Sequence, residues 1–262
     1  MTTIRASLIA FALLLTIGSV NAFPAYEDDD APPPCHPLPD AARIQYVIAY
    51  GSLMRAAWRE RALPRTGAAE PVIVSGYQRG WYSRSKGTRF GTTYLGVVPD
   101  VASSLNAVMY RADPANLATT DKRERLYCRV QVSPATLKRL TPQKTPIARA
   151  QIWIYEIPAG EATAVDEEHP IDQSYVDAFL AGCLEQEERF NLRDFSLQCV
   201  RTTYGWSAHW VNDRLYPGRP LTFQPRASQI DKLLAAEVPS YWAQVRSVPS
   251  YWSRLHLKAG EH

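Results

Sequence analysis

Residues 46–54 read Tyr46-Val-Ile-Ala-Tyr50-Gly-Ser-Leu-Met54, an apolar run that breaks at a Tyr-Gly-Ser turn. A short apolar stretch rich in β-branched residues and bounded by a turn former describes a strand. The glycine at its end has no Cβ, so a partner can approach the backbone closely. Consecutive N–H groups in such a turn make a concave set of donors suited to a carboxylate or carbonyl oxygen. A strand that ends in a Gly-Ser turn is usually only a turn. This one gains weight from a second element, Asp121-Lys-Arg-Glu124-Arg-Leu-Tyr127, which puts one carboxylate at the end of a short helix before another strand. The pair predicts a glycine loop that grips a small substrate beside a glutamate that moves its protons.

Further apolar or alternating runs lie at Val72–Tyr77, Thr93–Val98, Ala107–Tyr110, Val130–Val132 and Gln151–Ile157, separated by Gly, Pro and polar residues. They predict an α+β fold whose mostly antiparallel or mixed sheet curls into a small barrel with flanking helices. One helix opens at Asp113-Pro114, where Asp accepts the first orphan amides and Pro fits the first helical position. Residues three, four and seven apart share a helical face, so its inward stripe should hold Leu117, Thr120, Asp121 and Glu124, with Lys122, Arg123 and Arg125 pointing elsewhere. A glutamate is most often a surface residue paired with a neighbour such as Arg123 or Arg125; the helical phase argues against that here. A carboxylate withdrawn from water can both accept and return a proton near neutrality.

A second helix is expected over about 172–188, with Val176, Phe179, Leu180, Cys183 and Leu184 on one stripe and Glu185, Glu187 and Glu188 on a solvated face. The aromatic stretch Tyr204–Asp213 reads as a packing or lid-like loop. Val238-Pro-Ser-Tyr-Trp242 recurs as Val248-Pro-Ser-Tyr-Trp252. Two copies cannot stack into a solenoid; they read as aromatic anchors that dock the tail, or as a strip that binds a sugar or protein partner.

The ends set the context. Arg5, an apolar run from Leu8 to Ile17 and Val20-Asn21-Ala22 form a signal-peptide pattern over residues 1–22. The run is too short to span a bilayer, which needs roughly 20 apolar residues, so the mature chain is expected to be exported, periplasmic or secreted, without a transmembrane segment. Residues 23–40 carry the acidic Glu27–Asp30, then Pro32, Pro33 and Pro34 and two further prolines, Pro37 and Pro39, and read as an extended, poorly packed leader. The domain should run over 41–225, with a helical extension from about 170, followed by a C-terminal helix and aromatic tail over 226–262. Removing residues 1–22 takes away Arg5 and no acid, leaving 28 basic against 26 acidic residues, a net charge of +2. That balance lacks the basic footprint of nucleic-acid binding.

Cys35, Cys128, Cys183 and Cys199 allow two disulfides in any of three connectivities. The alternative for Cys128 and Cys183 is that they are buried small hydrophobes. No CxxC or Cys/His cluster suggests a metal, and neither His169 nor His209 has a partner at metal or triad spacing. No G-x-S-x-G, G-x-G-x-x-G or Walker pattern occurs.

Tyr50-Gly-Ser-Leu-Met, Gly76-Tyr-Gln-Arg79, Thr93-Tyr-Leu-Gly-Val97, Leu105-Asn-Ala-Val-Met-Tyr110 and Asp121-x-x-Glu124-x-x-Tyr127-x-Arg129, in that order, resemble the γ-glutamylcyclotransferase-like (AIG2-like) family over roughly residues 44–157. Pro170–Glu185, Gly205-Trp-Ser and Trp210–Arg214 look like an extension found in a bacterial branch. The Leu53-Met54 ending is closer to the branch acting on glutathione. The resemblance implies a cofactor-free reaction with no metal, in which the α-amine of a γ-glutamyl peptide or γ-glutamylamine attacks its own side-chain carbonyl and releases 5-oxoproline. It further implies Glu124 as general acid and base, the Tyr50, Gly51, Ser52 and Leu53 loop as substrate-binding, and Tyr127 in the same pocket. The other class of reading is a non-catalytic exported binding protein that kept the fold; a hydrolase releasing glutamate differs only in the attacking group.

Overall fold

The computed structural model describes residues 35–85, 91–142, 147–215, 217 and 224–248. The signal pattern, the leader up to residue 34 and the second tail copy from Pro249 onward lie outside them. The quoted run becomes β1 (Gln45–Ala49), buried at every residue. It lies between β3 (Thr93–Ala112), antiparallel to it, and β6 (Gln151–Glu156), parallel to it. With every residue buried, neither face of the strand meets solvent, which is why its sequence after Gln45 is continuously apolar rather than alternating.

Beyond β1 come a 3₁₀ turn (Ser52–Met54), α1 (Ala56–Ala62) and β2 (Glu70–Arg84). α2 (Pro114–Arg123), β4 (Cys128–Gln131) and β5 (Leu137–Arg139) separate β3 from β6. Then follow β7 (Ile171–Asp172), α3 (Gln173–Phe190), α4 (Phe195–Arg201), β8 (Thr203–Tyr204) and β9 (Trp210–Asn212). α5 (Ala227–Glu237), α6 (Pro239–Trp242) and β10 (Arg246–Ser247) complete the described chain. The main sheet runs β4-β6-β1-β3-β2-β5, with β8 parallel to β2, and a second small sheet runs β10-β9-β7.

The fold is therefore α+β with a mixed sheet, as expected, but the barrel does not close: β4 and β5 remain its outer strands. The runs Thr93–Val98 and Ala107–Tyr110 are one strand rather than two. β2 and β3 pair as a long hairpin whose register slips between Ser75 and Tyr77 and again between Trp81 and Ser83. The middle of β3 bulges out of the pairing, with residues 100–103 lacking a partner on β2, so its two apolar ends look separate in sequence although they belong to one strand.

Both predicted helices form. Asp113 caps α2, accepting from the Asn116 amide at 2.7 Å. α3 begins at Gln173 and packs against the 3₁₀ turn, α4 and α5. Its Gly182 makes that docking possible, because a Cβ there would stand 2.7 Å from the Arg55 amide nitrogen. The acidic face of α3 is not simply solvated. Glu185 accepts from the Ala56 amide at 3.1 Å, and Glu187 takes the amide and hydroxyl of Ser196 at 2.7 and 2.6 Å, so each satisfies the start of a neighbouring helix.

Disulfides join Cys35 to Cys128 and Cys183 to Cys199, so Cys128 and Cys183 are not free small hydrophobes. The end of the leader is correspondingly pinned rather than loose. His36 Nε2 lies 3.0 Å from the Tyr127 carbonyl, and Arg129 Nη2 donates to the Pro37 carbonyl at 2.8 Å. A disulfide closing a long loop contributes most through the unfolded state.

At the centre sits Arg79, fully buried. Its guanidinium donates to the Tyr50 and Asn106 carbonyls, the Asn106 amide oxygen, the Cys199 carbonyl and the Thr202 and Thr203 hydroxyls, at 2.8–3.1 Å. The Phe179 ring lies 4.8 Å away. Burial lowers its pKa to about 9, which still leaves it charged at neutral pH.

Two stability measurements follow. Arg79→Met should cost about 3–5 kcal/mol in urea unfolding, since it leaves several buried oxygens unpaired at once. Replacing Cys35 and Cys128 together by Ser should cost about 2–5 kcal/mol, and a dithiol should produce no further change at that pair.

Candidate active site

The Tyr50–Leu53 loop leaves β1 at a point held from both sides. The Tyr50 hydroxyl donates to the Tyr155 carbonyl at 2.6 Å, and the Tyr50 carbonyl accepts from Arg79 Nη1 at 3.1 Å. The Met54 and Arg55 amides close the 3₁₀ turn on the carbonyls of Gly51 and Ser52, at 3.0 and 3.3 Å. The Ser52 and Leu53 amides stand at the open N-terminal end of that turn, where its own geometry supplies no acceptor.

Glu124 ends α2. Its amide donates to the Thr120 carbonyl at 2.8 Å and its carbonyl accepts from the Tyr127 amide at 2.9 Å, a tight turn that hands the chain to β4. Its side chain is 21% exposed, half-buried as the helical phase predicts. It is nevertheless ion-paired: Arg123 Nε donates to Oε1 at 2.9 Å. Arg123 does not point elsewhere, because Nη2 of the same guanidinium lies 3.4 Å from Ser52 Oγ. Glu124 closes the helix with φ −95° and ψ 33°, so regular helical phase no longer governs this end and Arg123 reaches toward the glycine loop. Burial alone would pull the Arg123 guanidinium down, but the charge of Glu124 and its hydrogen bond outweigh that and hold it above the ordinary arginine value.

Tyr127 is buried, and its hydroxyl donates to the Leu95 carbonyl at 2.9 Å. Burial first, then the neighbouring Tyr175 and Glu124, pushes its phenol well above the usual value. Burial, then Tyr127 and Glu124, does the same to Tyr50. Both therefore remain neutral, with hydroxyls committed to strand carbonyls, and they contribute ring surface rather than a base. Asp121, the other acid of the stripe, accepts from Arg129 at 2.8 Å and from the Tyr155 hydroxyl at 2.6 Å, a structural pairing behind the site.

Sequence reading missed Tyr175. It stands on the first turn of α3, with its hydroxyl 3.1 Å from where a Cβ on Gly51 would lie. Its ring packs on Tyr94 at 5.3 Å and on Trp81 at 5.9 Å. The contacts continue through Trp81–Trp206, Trp206–Trp210 and Trp210–Trp242 at 5.2, 5.0 and 5.7 Å. The Tyr204–Asp213 stretch is thus packing, and the first tail copy docks through Trp242 as an anchor. Aromatic density was visible in the sequence, but no local spacing could say that α3 folds back over a turn so far upstream. Among the described residues no group of three or more His, Cys, Asp or Glu could hold a metal ion, and no helix is long and apolar enough to cross a membrane.

No family model and no curated protein matches the chain. Several solved structures are similar to it. One is a gamma-glutamyl cyclotransferase, 11% identical with a TM-score of 0.42, covering 59% of this chain and 86% of that one. Another is a gamma-glutamyl cyclotransferase specific to glutathione from yeast, 11% identical with a TM-score of 0.36, covering 61% and 97%. A third is YkqA from Bacillus subtilis, 17% identical with a TM-score of 0.40, covering 56% and 53%. Likeness at these identities and scores concerns the course of the backbone and leaves the reaction to be argued from the site. The chain's structural neighbours thus include gamma-glutamyl cyclotransferases, the proteins its ordered motifs resemble.

Proposed function

We propose that this chain is an exported γ-glutamyl cyclotransferase that releases 5-oxoproline from glutathione, another γ-glutamyl peptide or a γ-glutamylamine. The observation that carries the reading is the bridge from Ser52 through Arg123 to Glu124, which ties the glycine loop and the carboxylate of two distant segments into one site. The signal pattern over residues 1–22 and the two disulfides support export to an oxidising compartment.

The reaction is internal. Glu124 takes a proton from the substrate's α-ammonium, and the freed amine attacks the γ-carbonyl carbon to close a five-membered ring. The tetrahedral oxyanion is held by amides of the Tyr50–Leu53 loop; Glu124 passes its proton to the leaving nitrogen, the old C–N bond breaks as the carbonyl re-forms, and the surplus proton of the ring nitrogen goes to the freed carboxylate and from there to the released amine or solvent. Such a ring closure needs positioning and proton transfer rather than an enzyme nucleophile, which suits a site built from one carboxylate, a donor loop and neutral buried phenols. Tyr127 and Tyr50 wall the pocket, and Tyr175 limits the room above Gly51.

The test is mass-spectrometric detection of 5-oxoproline from residues 23–262 incubated with γ-glutamyl compounds including glutathione. Glu124→Gln should keep the fold and lose turnover by roughly 10²-fold or more; unchanged turnover would remove Glu124 from the mechanism. Gly51→Ala brings a Cβ to 3.1 Å from the Tyr175 hydroxyl, a contact that the phenol or the loop must relieve by a few tenths of an ångström. It should lower kcat/KM about tenfold, and adding Tyr175→Phe should restore part of that loss.

A further inference from the structure

We infer that Arg123 is the residue that binds the substrate's α-carboxylate, exchanging its partner Glu124 for that group, and so leaves the loop amides to the reacting carbonyl. The inference rests on the cyclotransferase reading and assigns the recognition of its substrate.

The guanidinium engages Glu124 through Nε and Ser52 through Nη2, the latter at 3.4 Å, the long end of a hydrogen bond. Two of its five N–H donors have a hydrogen bond among the described residues, and its side chain remains 29% exposed. It is thus a fork with donors to spare, already in the site and reachable by a ligand. Its planar geometry matches a carboxylate in a two-point contact, as a lysine's would not.

Charge complementarity points the same way. A γ-glutamyl group carries an ammonium and a carboxylate on one carbon. The site offers Glu124 and Arg123 side by side, in the opposite sense. When the zwitterion enters, each enzyme charge exchanges its neighbour for a substrate charge of the same sign as the one it left. Glu124 then faces the ammonium whose proton it must take. The Ser52 and Leu53 amides, with no acceptor inside their own turn, are left to receive the charge that develops on the γ-carbonyl oxygen.

This assignment separates two functions that the glycine loop would otherwise have to share. It also sets the substrate class: a γ-glutamyl compound with a free α-carboxylate, whereas the same chain lacking it would enter without its anchor.

The experiment compares glutathione with its counterpart lacking the α-carboxylate, 4-aminobutanoyl-cysteinylglycine, which closes to 2-pyrrolidinone by the same chemistry. Wild-type enzyme should favour glutathione. Arg123→Gln should lower kcat/KM for glutathione by about 50-fold, chiefly through KM, while changing the descarboxy compound about twofold or less, so that the preference collapses. Arg123→Lys should fall between the two. An equal loss on both compounds marks a structural role and overturns the assignment, as does a preference that survives in Arg123→Gln. If the wild type forms neither lactam, the cyclotransferase reading of glutathione fails, and the assignment is then judged by calorimetric titration of the same two compounds into both proteins. A preference for the carboxylate that is present in the wild type and lost in Arg123→Gln sustains it; equal affinities in the wild type overturn it.

Discussion

The structure turns on a charge placed where no water reaches. Arg79 on β2 donates to oxygens of the β1 loop, of β3 and of the α4–β8 connection, and its plane lies against Phe179 of α3. Its partners among the described residues are carbonyl, amide and hydroxyl oxygens rather than a carboxylate. A buried cation without an anion is costly unless its donors are met, and here they are met by three backbone carbonyls and three side-chain oxygens. The Tyr50 carbonyl stands at the point where β1 gives way to the glycine loop. Fixing it fixes the loop, and the same guanidinium fixes the helical layer that carries Tyr175.

That coupling explains why the segment after residue 170 belongs to the site rather than merely following it. α3 lies against the 3₁₀ turn through Gly182, Glu185 meets the first amide of α1, and Cys183 is bonded to Cys199 beside Asn106 and Arg79. These contacts hold α3 to the 3₁₀ turn, to α1 and to α4, and together they deliver Tyr175 to Gly51. The aromatic contacts from Tyr94 to Trp242 continue this wall to the tail. Dense packing transmits displacement, so the rigidity of the glycine loop depends on residues more than a hundred positions away.

Particular residues show where sequence reading was sufficient. Asp113-Pro114 announces α2 because capping chemistry is local, and Tyr46–Ala49 announces a buried central strand because its apolar run is continuous. Helical phase read Glu124 as turned inward rather than paired with a neighbouring arginine; it is half-buried, yet paired with Arg123. Arg123 did not follow: phase describes the interior of a helix, and at its last turn a long side chain can reach back. The open sheet was equally illegible, since closure depends on how β4 and β5 lie relative to one another. The long β3 hid behind its exposed middle, where a bulge interrupts both the apolar pattern and the pairing with β2.

What the sequence by itself determined were the features set within a few residues: the strand and its glycine turn, the capped helix ending in a carboxylate, the apolar stripe of α3, and the even cysteine count. Their order also carried the resemblance that names a reaction. Tertiary structure alone decided which cysteines pair, that Arg79 sits at the centre, that Tyr175 covers Gly51, and that Arg123 joins Ser52 to Glu124. These are contacts between segments whose separation along the chain carries no information about their distance. Packing brings them together: α3 against the β1 loop delivers Tyr175, the end of α2 against the same loop delivers Arg123, and the buried oxygens around Arg79 draw β1, β3 and α4 to one guanidinium.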